Sequence, residues 1–255
     1  MEGRHEQRER LRSERQASES SAAAALARKR RVQYLILAAF AAVAVIVALI
    51  VISQSGGDDG GGTPSNISGA AQVDADLRGI PQGGRTLGQA DAPLTITEFG
   101  DPQCPACAFF AEQIAPQLIA DEVKSGNAKI VFEPYLIIGP DSQPAMTASL
   151  AAGEQGRFWN YLQIFYANQG AENSGYVTDD FLTVIARAAG VPDIDAWNRS
   201  RNEPKWNAVL TRGTTEAESL GFTGTPSIVV RGPNGERVLS GFALGEIEGA
   251  IGQVG

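Results

Sequence analysis

The sequence predicts an α/β domain with an inserted helical subdomain, carried behind one N-terminal transmembrane helix. Three observations predict it. An alternating apolar run, Leu94 to Phe99, is followed by a helical stretch and a second strand-like run, Ala128 to Tyr135. A long block of helical patterning, about 143–220, separates these from two short strand-like runs near the C-terminus. Residues 32–52 carry no charge.

Residues 1–31 form a basic arm with nine Lys/Arg, five Glu and almost no large apolar side chain. Such an arm cannot bury a core and reads as disordered or as a solvated helix. Val32 to Ile52 is 21 residues long. As a helix it spans about 31 Å, enough for a bilayer's hydrocarbon core. Arg28-Lys29-Arg30-Arg31 precedes it directly, and no basic residue follows until Arg78. The positive-inside rule then places the N-terminus in the cytoplasm and Ser53 onward outside the cell membrane. A cleaved signal peptide is the rival reading. Its apolar core would be shorter, and Ser53-Gln54-Ser55 is a poor cleavage site. An uncleaved, single-pass signal anchor is preferred.

Residues 53–75 read as a flexible linker, centred on Gly56-Gly57-Asp58-Asp59-Gly60-Gly61-Gly62. About 20 such residues reach roughly 25 Å. The folded domain is expected over 76–255. The chain holds 29 Asp/Glu against 21 Lys/Arg, and the arm's excess is basic, so the domain is acidic. That argues against nucleic acid as its partner.

Within the domain, Gly79 to Gly84 is turn-rich. Leu94 to Phe99 is the first central strand, Ala108 to Lys124 a helix, and Ala128 to Tyr135 a second strand. Strand–helix–strand implies a parallel pair with a right-handed crossover. Ala145 to Gln155, Phe158 to Ala167, Asp179 to Ala189 and Pro204 to Ser219 are candidate helices. Their aromatics, Phe158, Trp159, Phe165, Phe181, Trp197 and Trp206, read as core. Gly224 to Val230 opens a third strand and Glu236 to Ser240 a fourth. Asn234-Gly235 between them is a hairpin signal. Leu244 to Ile251 closes as a helix.

The chemistry concentrates at Cys104-Pro105-Ala106-Cys107, the only two cysteines in the chain. A Cys-x-x-Cys between a buried strand and a helix start is a redox arrangement. Free N–H groups and the positive dipole end of the helix favour a thiolate at the first cysteine. A zinc site needs about four Cys/His ligands, and the one histidine, His5, falls across the membrane, so no metal is expected. A structural disulfide closing so short a loop has little entropy to remove. A histidine-based hydrolase is excluded for the same lack of histidine.

These residues resemble the DsbA-like thiol–disulfide oxidoreductases of the thioredoxin superfamily, over about Gly79 to Ile251. Ala92-Pro93-Leu94-Thr95-Ile96-Thr97-Glu98-Phe99 with Cys104-Pro105-Ala106-Cys107 is similar to the family's first strand and active site. Glu154-Gln155-Gly156-Arg157-Phe158-Trp159 is similar to a motif in its helical insertion. Leu220-Gly221-Phe222-Thr223-Gly224-Thr225-Pro226-Ser227 resembles its cis-proline loop.

The resemblance implies a thioredoxin-like fold and an enzyme that exchanges dithiols and disulfides. Cys104 would be the exposed cysteine that substrates bond to, and Cys107 its buried partner. Glu98 would be a buried acid relaying a proton to Cys107; the alternative is a strand residue facing solvent. Thr225 would pair its backbone with an extended substrate, beside a cis Pro226. Pro105 and Ala106 would tune the site. Ala106 departs from the best-known members, which carry His there. No cofactor is implied beyond the Cys104–Cys107 disulfide. The implied task is introducing disulfides into secreted proteins, with a quinone-linked membrane partner of the DsbB or VKOR type. The alternatives are a reductase or isomerase on the same fold, and a non-catalytic tethered peptide-binding module.

Overall fold

The computed structural model describes residues 67–239 and 241–255. The expected basic arm, the membrane anchor, the linker up to residue 66, and Ser240 lie outside the described residues. Among the described residues no helix is long and apolar enough to cross a membrane.

The expected linker is too long at its C-terminal end. Helix α1 (Ala70–Leu77) begins inside it, before the expected boundary near Asp76. Ile67, Ala70, Val73 and Leu77 recur at helical spacing and pack on the core. The side chain of Asn168 clamps Ser68 by accepting from its N–H (2.9 Å) and donating to its carbonyl (3.0 Å).

The sheet has six strands: β1 (Gln82–Gly83), β2 (Thr86–Leu87), β3 (Leu94–Gly100), β4 (Ala128–Pro134), β5 (Ser227–Gly232) and β6 (Gly235–Val238). Their order is β1-β2-β4-β3-β5-β6. β3 and β4 are parallel, as the strand–helix–strand pattern implies. The other pairs are antiparallel. Of the two-residue strands, β1 lies inside the turn-rich Gly79–Gly84, and β2 follows where no element is expected.

Alternation decides which face each side chain serves. Leu94, Ile96, Ile130, Phe132, Ile228 and Val230 enter the main core, together with both cysteines. Phe99 and Val229 face the opposite side, where Tyr135 and Ala217 meet them. Glu98 therefore belongs to the cysteine face by parity. Its register partners are Phe132 on β4 and Ile228 on β5.

The helix after the cysteines starts at Pro105, earlier than expected, and is helical through residue 123. It comprises α2 (Pro105–Phe109), a π turn (Phe110–Ile114), α3 (Ala115–Leu118) and a second π turn (Ile119–Val123). Pro116 accounts for the first π turn. It has no N–H and its ring crowds the preceding turn, so the helix widens just ahead of it.

The insertion holds α4 (Ser142–Gly153), α5 (Phe158–Tyr166), α6 (Asp179–Ala188) and α7 (Ile194–Arg201). All six aromatics expected in the core are buried. Trp197 Nε1 donates to the Ala148 carbonyl (2.8 Å) and Tyr161 to that of Leu182 (3.1 Å). α7 is an addition to the expected helices. Trp197 is its one large buried apolar side chain, but Asp193 caps it by accepting from Ala196 N–H (2.8 Å).

α8 (Lys205–Ser219), expected within the insertion, instead covers the second face of the sheet with Ala217. Gly213 permits this. A Cβ there would stand 2.2 Å from the Pro134 carbonyl oxygen, so only glycine lets α8 lie this close to β4. α9 (Leu244–Val254) buries Ile247, Ala250, Ile251 and Val254 on the cysteine face.

Candidate active site

Cys104 is the N-cap of α2, with extended backbone (φ −76°, ψ 120°). Pro105 occupies the first helical position, where its missing N–H costs nothing. The next two N–H groups, of Ala106 and Cys107, lie at the helix start beside the Cys104 sulfur, which accepts no capping hydrogen bond while it is a thiol. An N-cap side chain ordinarily accepts from those positions. Here the cap is a sulfur, so the helix start itself stabilises a thiolate.

Both cysteines are free thiols. The resemblance implied an exposed Cys104, and the structure corrects this: Cys104 is 6% exposed and Cys107 0%. The reason is the Thr225–Pro226 loop, whose peptide bond is cis. The Cys104 thiol donates to the Thr225 carbonyl (3.2 Å). The Thr225 hydroxyl oxygen is buried with no hydrogen-bond partner among the described residues. It lies beside the sulfur, free to donate to it once the thiolate forms.

Electrostatics separate the two thiols. A hydrogen bond from the Cys107 thiol, above all, pulls the Cys104 pKa down to about 6; burial opposes this, while Thr225 and the two helix N–H groups add to it. Burial pushes Cys107 well above the ordinary thiol value, reinforced by the neighbouring Cys104 and Glu98. Glu98 lies on the cysteine face and is 2% exposed. Its Oε1 has no partner among the described residues, and Phe132 and Ile228 flank it. Burial, then the Cys104 charge, raises its pKa to about 8. At neutral pH it is a protonated acid behind Cys107.

The structure therefore brings Glu98, Cys104, Cys107, Thr225 and Pro226 together from three separate stretches. It also shows residues that the sequence reading left without a role. Asp101 is wholly buried. Its side chain accepts from the N–H groups of Gln103 (2.9 Å), Ile137 (2.8 Å) and Ile138 (2.9 Å). Its carbonyl accepts from Cys104 N–H (3.0 Å) and the Tyr166 hydroxyl (3.3 Å). The loop before the cysteines is thereby tied to β4's outgoing loop and to α5. The one signal in the sequence was a pair of polar residues, Asp101 and Gln103, between a buried strand and a buried thiol.

A groove of about 550 Å³ runs from Thr225 and Pro226 between Leu220–Gly224 and Val238, Leu239, Gly241 and Phe242. It offers an extended chain a path toward Cys104. Removing only the Thr225 hydroxyl, as Thr225→Val, should raise the Cys104 pKa by about half to one unit, the worth of one hydrogen bond. Thiolate absorbance followed against pH measures it. Identical titrations would remove the hydroxyl from the site.

A family model described as Thioredoxin matches residues 81–241. The chain is 24% identical over 164 residues to disulfide bond formation protein D of Bacillus subtilis, covering 64% of this chain and 72% of that protein. It superposes on the crystal structure of oxidised BdbD from Bacillus subtilis with a TM-score of 0.60 and 25% identity, covering 68% of this chain and 95% of that one. The fold is shared with DsbA of Chlamydia trachomatis, at TM-score 0.58 and 23% identity over 66% of this chain and 90% of that one. The matched segment contains both cysteines, the helical insertion and the cis-proline loop, and by it the chain belongs to the thioredoxin family as a DsbA-like protein disulfide oxidoreductase.

Proposed function

We propose that this protein is an extracytoplasmic oxidase, anchored by residues 32–52, that introduces disulfides into secreted proteins. The asymmetry of the two thiols carries the reading. A site that stabilises the Cys104 thiolate stabilises the reduced enzyme, and its disulfide is correspondingly oxidising. The Cys107 thiol, then the Thr225 hydroxyl and the helix start, supply this stabilisation without a histidine at position 106.

In the proposed cycle a substrate thiolate attacks Cys104 Sγ of the oxidised pair. The Cys104–Cys107 bond breaks, a mixed disulfide forms, and Cys107 leaves as a thiolate. Protonated Glu98 stands behind Cys107 to supply its proton. A second substrate thiolate then attacks the substrate sulfur of the mixed disulfide. Cys104 leaves as a stabilised thiolate, and the substrate has lost two electrons to the enzyme. In the oxidised enzyme Cys104 carries no proton, so the Thr225 carbonyl is free to accept a backbone N–H from an extended substrate. No cofactor beyond the Cys104–Cys107 disulfide is needed for these steps. Reoxidation falls to a quinone-linked membrane partner of the DsbB or VKOR type.

Equilibration with glutathione buffers tests the direction. The expected midpoint is more positive than about −200 mV, well above the roughly −300 mV of structural disulfides in secreted proteins, so the enzyme takes electrons from substrate dithiols. A midpoint near that of thioredoxin, about −270 mV, would make it a reductase. Topology is tested apart from this: protease added to intact spheroplasts should digest the domain, and protection would sink the extracytoplasmic reading.

A further inference from the structure

The loop after α5 grips the three residues ending at Cys104. Gln169 Nε2 donates to the Pro102 carbonyl (2.7 Å) and to the Cys104 carbonyl (3.2 Å). Gln103, wholly buried between them, uses both ends of its amide on the same loop. Its Oε1 accepts from Asn173 N–H (2.9 Å) and its Nε2 donates to the Tyr176 hydroxyl (3.0 Å). All four bonds come from the helical insertion. They fall on the backbone and side chain of the strand-to-helix loop, where a single peptide rotation would swing the N-cap sulfur.

We propose that Gln169 is a positioning residue for disulfide exchange, holding the carbonyls on either side of Gln103 so that the Cys104 sulfur stays over the first free N–H groups of α2. The Cys104 carbonyl is also the first acceptor of that helix, from Ala108 N–H (3.1 Å). Fixing this carbonyl fixes the cap's backbone, and with it the aim of the side chain. The insertion thus does more than cover the site. Through one half-buried amide it sets the pose of the attacking thiol.

The inference rests on Cys104 as the low-pKa attacking thiol, and wild-type titration tests that separately. Gln169→Met keeps the length and removes both donors. Its Cys104 midpoint should rise by about half to one pKa unit. Its equilibrium with glutathione should move about three- to tenfold toward the disulfide by the same conversion. Cys107 on α2, Glu98 on β3 and Tyr166 on α5, the other titratable groups about the sulfur, are unaltered in the variant. The urea midpoint of the oxidised protein should stay near wild type, since Gln169 is only half-buried.

Gln169→Glu sets an acceptor against two carbonyls and should raise the Cys104 midpoint further. If the Met variant fails to fold, Gln169→Leu, which also lacks both donors and adds no charge, provides the measurement. Wild-type titration and glutathione equilibrium in a folded Gln169→Met protein would overturn the proposal. So would a shift confined to Gln169→Glu, which would be charge and not position. A wild-type Cys104 that titrates as an ordinary thiol is a different failure, that of the reading beneath it.

Discussion

Cys104→Ser should reduce thiol–disulfide exchange to the uncatalysed background, while Cys107→Ser should trap substrates on the enzyme. The two thiols stand at different depths and have opposite electrostatics. Cys107 is completely buried and its thiol is held protonated by its surroundings. It cannot meet an outside disulfide. Cys104 keeps a small exposed surface against Thr225, which lines the groove, and its pKa is near 6, so most of it is thiolate at neutral pH. Serine there removes the only sulfur within reach. Serine at 107 leaves Cys104 able to form a mixed disulfide but removes the internal thiol that would release it. Adducts should therefore accumulate and run as higher-mass species on non-reducing gels, disappearing with reductant. Trapped adducts through Cys107 in the Cys104→Ser protein would reverse the assignment.

Glu98→Gln should flatten the pH dependence of the oxidised protein's stability. The folded-state pKa of Glu98 is raised, to about 8 from an ordinary value of 4.5. Between those values the native state holds a proton that the unfolded chain has lost. Stability contributed by the protonated acid is full below pH 4.5 and drains away as pH rises through 8. The slope is about 1.4 kcal/mol per pH unit, on the order of 4–5 kcal/mol across the window. In the oxidised enzyme the Cys104 charge is absent, so the upper end falls somewhat below pH 8, with burial remaining the main cause.

In the reduced enzyme Cys104 opposes this loss. Its folded pKa is depressed to about 6 from an ordinary 9, so its contribution grows as pH rises from 6 to 9 and is lost below 6. Oxidised wild type should therefore lose stability from pH 5 to 8, and the reduced form should be nearly flat from 6 to 8. Oxidised Glu98→Gln should lack the decline. Urea unfolding at several pH values, with and without reductant, measures all three. Parallel profiles for wild type and Glu98→Gln would mean another group titrates. The same variant has no proton to give Cys107 and should slow attack on the enzyme disulfide by about 10²-fold, the low end for a general acid.

The sequence by itself determined the parts whose signals are local. Period-two alternation marked β3 and β4, Asn234-Gly235 marked the hairpin, and the spacing of Cys104 and Cys107 announced the redox chemistry. Aromatic residues in the insertion read as core because large rings have little choice. The elements missed are those with weak local signals. β1 and β2 are two residues each, too short for any periodicity, and exist because β2 pairs with β4. α7 has one large buried apolar side chain. α1 lies beside glycine-rich sequence and is held by contacts with α5 and Asn168.

Only the tertiary structure decided the chemistry of the site. Alternation placed Glu98 on a strand, but its pKa depends on Phe132 and Ile228 standing beside it, and these come from strands far away in sequence. The depth of Cys104 depends on Thr225, 121 residues away. Gln169 carries no sequence pattern at all, and Asp101 only its place with Gln103 between a buried strand and a thiol. They matter because buried backbone groups near the cysteines must find partners, and the fold supplies them from β4's loop and from the insertion. Desolvation and hydrogen bonding are properties of what surrounds a group, and in this protein the surroundings of each reactive atom are assembled from distant parts of the chain.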